Sequence, residues 1–83
     1  MIVERFKDAS AVYGRFRERG RMAPEGLAYV SSWVDEDIQC CFQLMQTSDP
    51  RLLNEWMTNW DDLIDFEVFA VISSGQALER MAR

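Results

Sequence analysis

The chain has 83 residues, 48% apolar and 28% charged, with a formal charge of −5, which allows one domain with a modest core and an ordinary globular composition. The negative charge argues against non-specific binding to nucleic acid or anionic membrane, and no run approaches the roughly 18 apolar residues of a membrane span. There is no histidine, which removes the common haem and metal ligand and the Ser-His-Asp and Cys-His catalytic arrangements.

In chain order, an apolar segment over Met1–Phe6 predicts a strand. Asp8 is a good N-cap for a helix over Ala9–Arg19. There Ala9, Val12, Tyr13 and Phe16 share one face. Gly20 suits the left-handed position after the last turn, and Pro24 prevents continuation. Gly14, inside this helix, is expected to permit close approach to a sheet. Two long apolar runs, Leu27–Val34 and Ile38–Gln46, predict a hairpin turning at Asp35–Glu36–Asp37. With a two-residue loop, Val34 lies opposite Gln39, Trp33 opposite Cys40, Ser31 opposite Phe42 and Tyr29 opposite Leu44. One face then carries Tyr29, Ser31, Trp33, Cys40, Phe42 and Leu44. The other carries Val30, Ser32, Val34, Cys41, Gln43 and Met45. Asp49 and Pro50 start a second helix reaching Trp60, with Leu52, Leu53, Trp56, Met57 and Trp60 on one stripe. A last strand is predicted over Phe66–Ile72. A short C-terminal helix follows, opened by a capping box from Ser73 to Gln76, with Ala77, Leu78 and Met81 on its apolar side.

This β-α-β-β-α-β order predicts a single α+β domain over residues 1–83 with the ferredoxin-like split-βαβ arrangement. Both faces of the hairpin are largely apolar, whereas a monomeric two-layer domain leaves one face wet and polar. The sequence therefore predicts a homodimer in which a second copy covers the free sheet face. The adjacent Cys40 and Cys41 point to opposite sides of a strand, so they form no framework disulfide. They suit a reducing, cytoplasmic location. No secretory signal pattern is apparent.

Several segments taken together resemble a known family. They are Glu4-Arg5-Phe6-Lys7, Gly20-Arg21-Met22, Pro24-Glu25-Gly26-Leu27, Ser32-Trp33-Val34-Asp35 and Cys41-Phe42-Gln43-Leu44-Met45. Leu53 with Glu55-Trp56, Trp60 with Asp62-Leu63, and Asp65-Phe66-Glu67 complete the set. The pattern resembles a small bacterial family known only as a domain of unknown function. The resemblance implies the dimeric α/β-barrel fold, two ferredoxin-like subunits with sheets face to face. It brings no established activity and no catalytic residues.

Candidate chemistry therefore rests on the residues themselves. Glu4, Arg5, Gln43 and Glu67 are polar positions in or beside apolar strands. A buried carboxylate there needs a partner or takes up a proton, which suits a general acid or base; an Arg–Glu pair fixing register or a dimer is the alternative. Tyr29, Trp33 and Phe42 are candidates either to line a cavity for a flat apolar ligand or to form a sheet-to-sheet interface. The acidic groups Asp35–Glu36–Asp37 and Asp61, Asp62 and Asp65 lack the ligand spacing of a dedicated cation loop, so no metal is expected. There is no phosphate-binding glycine loop, and no cofactor is expected. Arg15, Arg17 and Arg19 on the first helix offer a basic face for an anion or a protein. The function expected is a small protein that homodimerises through its sheet and binds a small apolar ligand in the barrel. The alternative is a cofactor-independent monooxygenase or isomerase acting on an aromatic or enolisable small molecule.

Overall fold

Strand β1 (Ile2–Phe6) leads into helix α1 (Ala9–Arg19), then strands β2 (Ala28–Val34) and β3 (Cys40–Gln46), helix α2 (Pro50–Thr58), strand β4 (Ile64–Val68) and helix α3 (Ser74–Met81). The computed structural model describes residues 1–82. The strands form one antiparallel sheet in the order β2-β3-β1-β4, so the fold is ferredoxin-like α+β.

Each helix begins where a side chain can cap it. Asp8 accepts from the Ala11 amide and Asp49 from the Arg51 amide, satisfying donors that the first turn leaves unpaired. The Gly20 amide closes α1 on the Phe16 carbonyl, with Gly20 at φ 67°. Gly14 does not mark a close approach, because a Cβ built there meets nothing within 4 Å. The capping box at Ser73 and Gln76 opens α3. No residue of α3 is buried, and Leu78 and Met81 stand in solvent.

Three boundaries depart from the sequence reading. Helix α2 ends at Thr58, with Asn59 as its C-cap, and Trp60 reaches the core from the following turn. The last strand is Ile64–Val68 rather than Phe66–Ile72. Its inner residues Ile64 and Phe66 alternate with the exposed Asp65 and Glu67. Beyond Val68, Phe69 exchanges two backbone bonds with Met1, and β1 offers no partner to residues 70–72. The hairpin loop is also longer than two residues. Asp35 Oδ1 accepts from the amides of Gln39 and Cys40, and Ile38 takes φ 56°. Val34 therefore pairs with Cys41 and Trp33 with Phe42. This register is two residues from the expected one, so the two faces keep their composition along Ser31–Val34. A bulge between Tyr29 and Ser31 then breaks the alternation. Tyr29 pairs with Met45, and its hydroxyl bonds the Ser32 hydroxyl at 2.8 Å, which brings it to the other face.

Helices α1 and α2 cover the face bearing Ile2, Glu4, Phe6, Cys41, Gln43 and Ile64. The core there is Ile2, Val12, Leu27, Trp56, Trp60 and Ile64. Burying two tryptophans contributes about 2–3 kcal/mol each relative to exposure. The face opposite α1 and α2, helix-free in that neither of these two helices packs on it, bears Ser31, Trp33, Cys40 and Phe42 around a buried Val3. Trp33 is 55% and Phe42 40% exposed.

Candidate functional site

A cavity of about 120 Å³ lies between the sheet and the two helices. Its walls are mostly apolar: Phe6, Val12, Val34, Trp56, Trp60 and Ile64. Glu4 from β1, its cross-strand partner Cys41 and, diagonally on β3, Gln43 form a polar floor. Tyr13 and Phe16, partly exposed on the cavity-facing side of α1, stand with Arg21 at the rim.

Glu4 sits centrally in the sheet with 6% of its surface exposed, and its Oε2 is buried without a hydrogen-bond partner. Burial pushes its carboxyl up to about 7, while the neighbouring Cys41 thiol and the Arg21 charge pull the other way. The Cys41 thiol is pushed up to about 12, first by burial and then by the Glu4 charge. It is therefore a protonated thiol at neutral pH and no nucleophile. Burial also raises the Tyr13 phenol. Gln43, 4% exposed, donates only to the Met45 thioether at 3.1 Å, a weak acceptor.

The Arg21 side chain is positioned by its own backbone. The indole N–H groups of Trp56 and Trp60 both donate to the Arg21 carbonyl at 3.0 Å, and the Asn59 amide donates to the Met22 carbonyl at 3.2 Å. The turn at the end of α2 thus holds the loop leaving α1. The Arg21 guanidinium lies 3.7 Å from the Tyr29 ring centroid and 5.2 Å from that of Phe16.

The residues singled out from sequence divide between the two faces. Glu4 and Gln43 come together on the cavity floor. Arg5 and Glu67 form a 3.0 Å ion pair between β1 and β4, both exposed. The pair bridges β1 and β4 at the surface and does not line the cavity. Trp33 and Phe42 face each other on the helix-free side, whereas Tyr29 stacks on Arg21 at the cavity side. Arg15 is held by a bidentate pair with Asp62 at 2.7 Å and a bond to the Asn59 carbonyl. It fastens α1 to the turn after α2, leaving Arg17 and Arg19 exposed on that helix. The sequence reading missed Arg21, Tyr13 and Ser32 as lining residues. Among the described residues no three or more Cys, Asp or Glu side chains converge as metal ligands, and no helix is long and apolar enough to cross a membrane.

A profile for a domain of unknown function, DUF3303, matches residues 1–83. The chain belongs to the DUF3303 family. The match covers every element of the fold and both sides of the cavity, so the site described is built wholly within the family's domain. No curated protein and no solved structure is significantly similar to the chain.

Proposed function

We propose that this DUF3303 protein is a homodimer that binds one small, largely apolar molecule per chain in the helix-side cavity, against Glu4. One observation carries the ligand reading: a carboxyl oxygen that is buried, lacks a protein partner and borders an apolar cavity. Leaving a buried polar atom unpaired costs about 1–3 kcal/mol, and a ligand donor recovers that energy. Apolar walls with a few convergent polar groups are the usual make-up of small-molecule sites. The homodimer is supported by the helix-free face, where exposed Trp33 and Phe42 form an apolar strip across two strands. A two-layer domain hides such a strip by association. The two free thiols suit a cytoplasmic setting.

A second reading, a cofactor-independent isomerase or monooxygenase for an aromatic or enolisable molecule, is favoured by the Glu4 carboxyl being pushed up to about 7. A base poised near the working pH takes and returns a proton most effectively. Here Glu4 would accept the proton next to a substrate carbonyl and return it at the adjacent atom. Native mass spectrometry of the purified chain and of Glu4→Gln tests both readings. The expected result is a dimer with retained small-molecule mass that Glu4→Gln diminishes. A bare dimer removes the ligand reading, and a monomer removes the dimer. Solvent deuterium entering phenylpyruvate with the wild type but not with Glu4→Gln selects the enzyme.

A further inference from the structure

We infer that the cavity's ligand is a small organic monoanion, about one ring in bulk, whose carboxylate or enolate oxygens take the fork of Arg21 and whose second polar contact is Glu4. This rests on the cavity being a ligand site, and names what the site selects.

The first argument is the state of Arg21. Its planar guanidinium lies over the Tyr29 ring at 3.7 Å, with the Phe16 ring at 5.2 Å, contacts that leave its N–H groups available to an acceptor. Those groups match a carboxylate bidentately. Arg5, Arg15 and Arg51 each hold a carboxylate. Among the described residues no acceptor engages the Arg21 guanidinium, although it lines a cavity. Its backbone is already fixed by two indole donors, so little ordering entropy remains to oppose binding.

The second argument is the floor. Glu4 Oε2 has no partner and the Gln43 amide has only a thioether. A ligand oxygen seated between Arg21 and this floor supplies what both lack. The size fits as well, since an engineered apolar cavity of about 150 Å³ in another protein takes up benzene. The cavity here is about 120 Å³ with an exposed rim.

Charge then imposes a proton coupling. The ionisable groups facing Glu4 are Tyr13 from α1, Arg21 from the following loop and Cys41 from β3. Strand β4 and helix α2 present Phe66 and Trp56. With the thiol and phenol neutral, Glu4 is the group whose charge changes near neutrality. Protonated, it donates to the anion; ionised, it repels it. Binding of the anion therefore takes up a proton.

Benzoate and its neutral counterpart benzyl alcohol are the probes, titrated into the full ¹⁵N-labelled chain. Benzoate is expected to shift the indole N–H signals of Trp56 and Trp60 and to bind about tenfold more tightly near pH 6 than near pH 8. The enthalpy should vary with buffer ionisation, as proton uptake requires. Arg21→Met should weaken benzoate at least about tenfold and leave benzyl alcohol unchanged, and Glu4→Gln should flatten the pH profile. If benzyl alcohol enters the cavity as tightly as benzoate in the wild type, or benzoate binding is independent of pH, the monoanion is wrong and the pocket stands. If neither probe shifts the indole signals, the ligand reading falls too. The wild-type comparison of the two probes holds even if a variant fails to fold.

Discussion

Glu4→Gln should change how stability depends on pH, and the size of the change follows from burial. The Glu4 carboxyl rises from 4.5 to about 7 on folding. Between those values the folded chain holds a proton that the unfolded chain has released. Unfolding free energy therefore falls as pH rises through that window and levels off above it. At 1.36 kcal/mol per unit, the shift corresponds to a loss of about 3 kcal/mol from this one group. Glutamine cannot ionise, so the variant should lie near the wild type at about pH 4.5 and exceed it by about 3 kcal/mol at about pH 8. Urea unfolding at matched protein concentration reads this directly. With m near 1–1.5 kcal/mol/M for a domain of this size, the midpoints should separate by about 2–3 M at the higher pH. The chain has no histidine, so no other side chain ordinarily titrates in that interval. Parallel stability profiles for wild type and variant would refute the buried, unpaired carboxyl and the site built on it.

If the proposed homodimer forms through the face of Trp33, Trp33→Asp should leave the chain monomeric in sedimentation with far-ultraviolet dichroism unchanged; a variant that sediments as a dimer rules out that face. The Arg15 guanidinium holds the Asp62 carboxyl down to about 2, so its contribution to stability is present above 3.8 and fades as pH falls through about 2. Asp62→Asn should therefore lower the melting temperature at neutral pH, with the difference shrinking as pH falls from 3.8 to about 2. Trp56→Phe removes one of the two donors to the Arg21 carbonyl along with buried ring volume, and should cost about 1–3 kcal/mol in urea unfolding. Gly26→Ala should destabilise by about 1 kcal/mol or more in the same assay, because Gly26 sits at φ 94° and a Cβ there comes within 2.9 Å of Leu52 Cδ1.

The sequence was most legible where one residue settles a local question. Asp8 and Gly20 bound α1 because a cap and a left-handed terminator each act on their own turn. The ferredoxin-like arrangement follows from the β-α-β-β-α-β succession of strand and helix patterns along the chain. The β2–β3 turn departs from the alternation because the Asp35 side chain, acting as a backbone acceptor, stabilises a longer loop than the alternation suggests. Strand β4 begins earlier than its sequence suggests because the apolar run of residues 68–72 is more conspicuous than the shorter alternation of Ile64–Val68. Glu4 and Gln43 stood out in the sequence as polar residues within apolar strands. Arg21 did not, since its place at the cavity depends on two indoles 35 and 39 residues away in the chain. Tyr29 changed faces through a bulge that no residue in Tyr29-Val30-Ser31 announces.

The distribution of tryptophan makes the molecule its own fluorimeter. Trp56 and Trp60, 2% and 4% exposed, border the cavity and bond the loop that carries Arg21, while Trp33 stands 55% exposed on the far side of the sheet. Acrylamide should spare Trp56 and Trp60 throughout and reach Trp33 only in chains whose open sheet face is uncovered. In Trp33→Phe the remaining emission reports occupancy of the cavity alone; in the wild type, the quenchable fraction reports whether the open sheet face is covered. Ligand uptake and subunit association can thus be followed as two optical signals from one unlabelled chain.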